Sequence, residues 1–192
     1  MRLDVGTVNF VLGGLGGQGI LFMTKILAQA ALDKGMNVMG AETHGMAQRG
    51  GSVVSHLRLG EVESSLVGAG QAQFLLALDE HEAYRNLPFL AEGGHLYANA
   101  LGNPFPRAEV KSYLDGINAF YRACPAAKIA MDLGAPMSTN LALLGYFSAF
   151  GQGPLSHQEL RGTVEKVSPD RFREVNLKVF DAGYQEGGKE NT

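Results

Sequence analysis

Val8-Asn9-Phe10-Val11-Leu12-Gly13-Gly14-Leu15-Gly16-Gly17-Gln18-Gly19-Ile20 is the stretch that decides the fold. Its opening residues are apolar and stop at Gly13-Gly14, which reads as a buried strand over Val8 to Leu12. Gly14 to Gly19 then satisfies the pattern G-x-G-x-x-G, and Ile20 to Lys34 reads as a helix ending at Gly35. Within that helix Lys25, Gln29 and Asp33 fall four apart, so one narrow stripe is wet and the rest can be covered. A strand, a glycine-rich turn and a largely covered helix make the opening unit of an open α/β sheet.

Working outward, Asn37 to Ala41 is a plausible second strand, and Glu42 to Gly51 a polar loop bearing glycine. Ser52 to Leu59 alternates, with Val53, Ser55, Leu57 and Leu59 on one face and Ser52, Val54, His56 and Arg58 on the other. Gln73 to Leu78 is another buried strand, Asp79 to Glu82 opens a helix, and His95 to Ala98 forms a further strand. The second half reads as helical: Val110 to Arg122, Ala126 to Leu133, and Met137 to Phe150, the last apolar almost all round. Such a helix needs either a deep core or a partner surface. Ser156 with Glu159 is a capping-box pattern, and Ser168-Pro169 precedes a final helix with Phe172, Val175, Val179 and Phe180 on one face. The expected architecture is α/β: a Rossmann-like open sheet with helices on both faces and a helical C-terminal part, in one domain over residues 1–192.

Composition narrows the function. The chain has 192 residues, 45% of them hydrophobic and 18% charged, which suits one globular domain. A net charge of -3 provides no basic excess for phosphates, so nucleic acid is not an expected partner. No stretch reaches the roughly 18 uncharged apolar residues of a membrane span. The amino terminus lacks a signal-peptide run, and the single cysteine, Cys124, suits a cytoplasmic location. One thiol cannot hold an iron–sulfur cluster or a four-cysteine zinc site, and it reads as buried or incidental.

Two features carry chemistry. The turn Gly14, Gly16, Gly17, Gln18 and Gly19 permits close approach, and the helix terminus behind it attracts an anion. With Glu42 at the end of the second strand, this turn alone points to a nicotinamide or adenine nucleotide; its alternative use is packing or contact with another chain. The second feature is the loop holding Glu42, His44, Gln48, Arg49, Gly50 and Gly51, at the strand edge where open sheets place ligands. Arg49 is its fork donor for an anion, and His56 and Arg58 share a face on the next strand that either extends this polar surface or is simply solvated. No nucleophile motif and no metal-ligand spacing accompanies His44, so neither a catalytic residue nor a metal site is expected in this chain. Asp79-Glu80-His81-Glu82 reads as a helix cap, and His157, at another helix start, as exposed.

Gly13 to Gly19, then Gly45-Met46-Ala47-Gln48-Arg49-Gly50-Gly51-Ser52-Val53, His56 and Arg58, together resemble the small subunit of 2-oxoacid:ferredoxin oxidoreductases. The loop is most similar to the indolepyruvate branch, and Asn140, Leu144-Gly145, Asn176, Phe180 and Gly183 fit as well. The resemblance implies the domain III-like fold of pyruvate:ferredoxin oxidoreductases. It also implies a non-catalytic role in a complex that oxidatively decarboxylates a 2-oxoacid to an acyl-CoA and passes electrons to ferredoxin. Thiamine diphosphate and iron–sulfur clusters would lie on a large partner subunit, and the polar loop at the interface near the active-site mouth, where substrate or coenzyme A enters. The competing readings are a stand-alone nucleotide-binding module of the NAD or FAD type and a homodimeric scaffold using the apolar helix 137–150.

Overall fold

The computed structural model describes residues 6–44, 50–101 and 104–190. In chain order the strands and helices are β1 (Val8–Leu15), α1 (Ile20–Asp33), β2 (Val38–His44), β3 (Ser52–Leu59), β4 (Ala72–Ala77), α2 (Glu80–Arg85), β5 (Leu90–Asn99), α3 (Ala108–Gly116), β6 (Phe120–Cys124), α4 (Ala126–Asp132), α5 (Thr139–Ser148), α6 (His157–Val167) and α7 (Asp170–Glu190). The sheet order is β2-β3-β1-β4-β5-β6. β1, β4, β5 and β6 run parallel, whereas β3 lies antiparallel to both β1 and β2.

Alternate side chains of the central strands feed two separate cores, because successive residues point to opposite faces. Phe10, Leu12, Leu57, Phe74, Leu76 and Tyr97 pack under the layer of α1, α4, α5, α6 and α7. Val11, Leu75, Ala77, Leu96 and Ala98 face the smaller layer with Ala83 of α2 and Leu114 of α3. The expected open sheet with helices on both faces is therefore present.

Five elements differ from the sequence expectation, β5 among them because it runs from Leu90 to Asn99 rather than over His95 to Ala98. β1 does not stop at Gly13-Gly14 but continues to Leu15, because Gly13, Gly14 and Leu15 pair with Val54, Val53 and Ser52 of β3. Glu42, Thr43 and His44 belong to β2 rather than to a loop, held by pairing with Ser55, Val54 and Val53. The helix expected over 110–122 ends at Gly116. Asn118 takes φ 52°, and Phe120 to Cys124 becomes the edge strand β6, registered on His95 to Asn99 of β5. The apolar helix expected over 137–150 begins with a tight 3₁₀ turn at Pro136–Ser138 and continues as α5, every residue of which is buried.

α5 is covered from within the chain. A Cβ placed on Gly145 would lie 2.0 Å from the Phe180 carbonyl oxygen, and one on Gly183 would lie 2.0 Å from that of Ala142. Glycine at these positions lets α5 and α7 approach backbone to backbone, so no partner is required to bury this helix. That removes the observation favouring a homodimer built on helix 137–150, and it removes one reason for expecting a partner there.

Two of the three capping patterns hold; Ser168, expected to cap the final helix, instead ends α6, and its hydroxyl accepts from Asn176, while α7 begins at Asp170. Asp79 accepts from the N–H groups of His81 and Glu82, and Ser156 and Glu159 form the reciprocal box at the start of α6. No helix among the described residues is long and apolar enough to cross a membrane.

Candidate functional site

The glycine turn sits at the carboxyl ends of β1 and β4, the central crevice where a doubly wound sheet ordinarily receives its ligand. Here the chain fills that crevice itself. The Gln18 side chain folds back so that its Oε1 accepts the Leu15 N–H at 2.7 Å, while its Nε2 donates to the Leu78 carbonyl at 3.4 Å. Gly14 must be glycine to admit this, since a Cβ there would stand 2.8 Å from Gln18 Oε1 and 2.9 Å from Ile20 Cδ1. Gly19 adopts φ 83° and ends the turn as the cap of α1. Its carbonyl accepts from Asn140 Nδ2 at 2.9 Å, and a Cβ on Gly19 would meet the same nitrogen at 2.6 Å. Gly17, exposed at φ 96°, is the tip.

Around this turn the start of β3 is tied down. Gly16 N–H donates to the Gly51 carbonyl at 2.8 Å, which joins the far side of the polar segment to the turn. Ser52 Oγ donates to Glu82 Oε2 at 2.6 Å, and Arg85 pairs with the other oxygen at 3.3 Å. Glu82 is buried, so these partners satisfy a carboxylate that would otherwise be costly to cover. Asn86 donates to the Glu82 carbonyl at 2.8 Å and packs against Gly13, where a Cβ would clash with its Nδ2 at 2.8 Å.

Of the sequence-predicted residues, Gly14, Gly16, Gly17, Gln18, Gly19 and Gly51 are brought together here. Glu42 lies exposed near the end of β2, and Gly50 is exposed just before β3. Gln48 and Arg49 lie outside the described residues, as does the rest of 45–49. The backbone of His44 ends β2, paired with Val53.

His56 and Arg58 do not join this surface. β3 runs away from the turn, so Arg58 lies six residues, about 20 Å, from Ser52 along an extended strand. His56 is buried rather than solvated: its Nδ1 accepts the Val67 N–H at 3.2 Å, its ring meets Phe89 edge-on at 5.0 Å, and burial lowers its pKa. Arg58 donates to Asn9 Oδ1 at 2.9 Å and to the carbonyl and hydroxyl of Ser64, anchoring the segment after β3. Both serve the fold, His56 midway along the sheet opposite Val11 and Arg58 near the far end opposite Asn9.

The residues that sequence reasoning missed are Gln18 as a plug, Glu82 as a buried ion-pair member and Asn140 as a clamp on the turn. Asn140 had a visible signal, a single amide in an apolar helix, but its partner lies 121 residues away. Cys124 is buried and its thiol is pushed up by that burial, as befits an inert core sulfur. Ser148 Oγ lies 3.0 Å from His157 Nδ1, yet it donates to the Gly145 carbonyl at 2.6 Å, so the pair is not a nucleophile and its base. Nor is His157 fully exposed, because it stacks on Tyr184 at 3.7 Å between ring centroids.

Residues 9–186 match the family model of pyruvate ferredoxin/flavodoxin oxidoreductase. Indolepyruvate oxidoreductase subunit IorB from Methanothermobacter thermautotrophicus is 35% identical over 187 residues, 92% of this chain and 95% of that protein. The gamma subunit of a keto/oxoacid ferredoxin oxidoreductase from Geobacter sulfurreducens has the same fold, with a TM-score of 0.72 at 24% identity over 94% of this chain and 98% of that one. A 2-oxoglutarate:ferredoxin oxidoreductase from Magnetococcus marinus, solved with 2-oxoglutarate, coenzyme A and succinyl-CoA bound, carries the fold in 31% of its length, matching 95% of this chain with a TM-score of 0.77 and 19% identity.

Proposed function

The chain belongs to the pyruvate ferredoxin/flavodoxin oxidoreductase family, and from that premise we propose that it is the small subunit of a 2-oxoacid:ferredoxin oxidoreductase of the indolepyruvate type, working in the cytoplasm. The carrying observation is the match to an indolepyruvate oxidoreductase subunit, at 35% identity over 92% of this chain and 95% of that protein. Together with its large partner the chain completes an assembly that decarboxylates a 2-oxoacid oxidatively, forms an acyl-CoA and passes electrons to ferredoxin.

The residues present do not fit the redox groups such a reaction needs. One buried cysteine cannot ligate an iron–sulfur cluster. The crevice that would take a dinucleotide is filled by Gln18 and closed against the turn by Asn140. On this reading thiamine diphosphate and the clusters belong to the large subunit, where they would supply the decarboxylation and the electron relay. The stand-alone nucleotide-binding reading has no support left beyond its glycine pattern.

This chain's contribution is a surface. On this reading Gly16, Gly17, Glu42, Gly50 and Gly51 belong to the face presented to the large subunit near the mouth through which substrate or coenzyme A enters, and His44, Gln48 and Arg49 are assigned to it from the sequence alone. The glycines keep that face low and let a partner backbone approach closely, while Arg49 offers a planar fork to a carboxylate or phosphate. Co-expression with a thiamine- and cluster-bearing subunit should give a stable complex with 2-oxoacid-dependent ferredoxin reduction. Arg49→Ala should then lower turnover and raise the KM for 2-oxoacid or coenzyme A without dissociating the complex. A chain that purifies alone under all co-expression conditions overturns the assignment.

A further inference from the structure

The segment that joins β6 to α5 buries its small residues and exposes its large ones. α4 turns Ala126 and Ala130 to the core, and Ala135 is buried just beyond its end. Gly134, at φ 69°, makes the cap that enforces this. Its N–H donates to the Met131 carbonyl at 2.9 Å, and the Ala135 N–H donates to that of Ala130 at 2.9 Å, so the two alanines face inward together. Among the large residues only Ile129 turns toward the core, and it is partly covered. Met131, Leu133 and Met137 stand 64%, 40% and 74% exposed. A helix that meets only water on its outer side has the reverse arrangement, with its large apolar residues on the core face.

This ledge starts and finishes at the carboxyl edge of the sheet. At its start Asn99, the last residue of β5, accepts the Ala127 N–H at 2.9 Å. At its finish Asn140 holds the Gly19 carbonyl, and Met137 stands one helical turn before that clamp. The ledge therefore continues the face on which the glycine turn lies. It also carries no charge to spare: over residues 126–140 the only charged side chains are Lys128 and Asp132, and they pair with each other. A neutral, apolar ledge selects for an apolar protein surface and offers nothing to a phosphate or a nucleic acid.

We propose that Met131, Leu133 and Met137 form an apolar docking ledge for the large subunit, extending the contact from the glycine turn across the end of α4. The inference rests on the reading of this chain as a subunit of a larger assembly, and it names the residues that hold the two together. Methionine oxidation by dilute hydrogen peroxide, followed by mass spectrometry of the full chain and of the co-expressed complex, tests it without any substitution. In the chain alone Met131 and Met137 should oxidise fast and the buried Met23 and Met36 slowly. In the complex the rates at Met131 and Met137 should fall at least about tenfold. Leu32→Met puts a reporter at an exposed position on the far end of α1, and its rate should be the same in both states. Leu133→Lys combined with Met137→Lys should leave the melting of the chain alone unchanged and weaken the complex at least about tenfold. A complex that forms while Met131 and Met137 oxidise at the free rate overturns the ledge and leaves the subunit reading standing. A chain that forms no complex overturns both. Protection that grows with the concentration of the chain alone puts a second copy on the ledge and overturns the proposal.

Discussion

Two regions of this molecule depend on glycine, and they use it in opposite ways. In the turn from Gly13 to Gly19, the space left by the missing side chains is filled by the flexible ends of other side chains, Asn86, Gln18 and Asn140. In the seam between α5 and α7, the space at Gly145 and Gly183 is filled by main-chain carbonyls. A side-chain amide can swing away at the cost of one or two hydrogen bonds; a helix backbone cannot move without lifting its neighbour off the core. The turn is thus adjustable, and the seam is not.

The sharpest way to break this comparison is Gly183→Ala. Its methyl would overlap the Ala142 carbonyl, so α7 must separate from α5, and destabilisation of about 3 kcal/mol or more is expected as a fall in the urea midpoint. A loss under about 1 kcal/mol would mean that the seam yields as readily as the turn. Gly19→Ala comes next, at about 2 kcal/mol, because a left-handed φ and contact with Asn140 add together. Repeating Gly19→Ala in an Asn140→Ala background separates the two: with the amide gone the added cost should drop by about 1 kcal/mol, and a thermodynamic cycle with no coupling would argue against the clamp. Gln18→Ala should cost about 1 kcal/mol, since it strips a partner from the Leu15 N–H. It also opens the crevice, so calorimetry with NAD or ATP should remain blank if the turn is built for packing. Gly17→Ala is the mildest: nothing lies within 4 Å of its added Cβ, so only the backbone conformation at φ 96° is penalised, by about 1 kcal/mol. Its effect on association with a large subunit should exceed its effect on stability, which parallel pull-down and melting measurements would reveal.

The same contrast explains what could be read from the sequence. The turn was legible because all its glycines fall in one short run between a strand and a helix, a local pattern with a local cause. The seam was not: Gly145 and Gly183 lie 38 positions apart, and only the packed fold makes them neighbours. β6 was missed for a similar reason. Phe120 to Cys124 continues a helical periodicity, and it is the row of His95, Tyr97 and Asn99 on β5 that draws it into the sheet. The polar face was half legible. Its glycines were found, but His56 and Arg58 were grouped with it because alternation places them on one face without saying how far along the strand they lie. The partners of Gln18 and Asn140 are tertiary facts, and no spacing rule reaches across 60 or 121 residues.

The tie from Gly16 to Gly51, together with the pairing of His44 on Val53, has a consequence for how such a chain diversifies. Both anchors of the segment joining β2 to β3 are fixed by main-chain bonds that ignore side-chain identity. Replacement of everything between them should therefore leave the domain's melting behaviour nearly untouched while changing what it meets. The arrangement is an interchangeable tool bit in a standard chuck, and grafting that short segment from a relative tests what the proposed face contributes to the assembly.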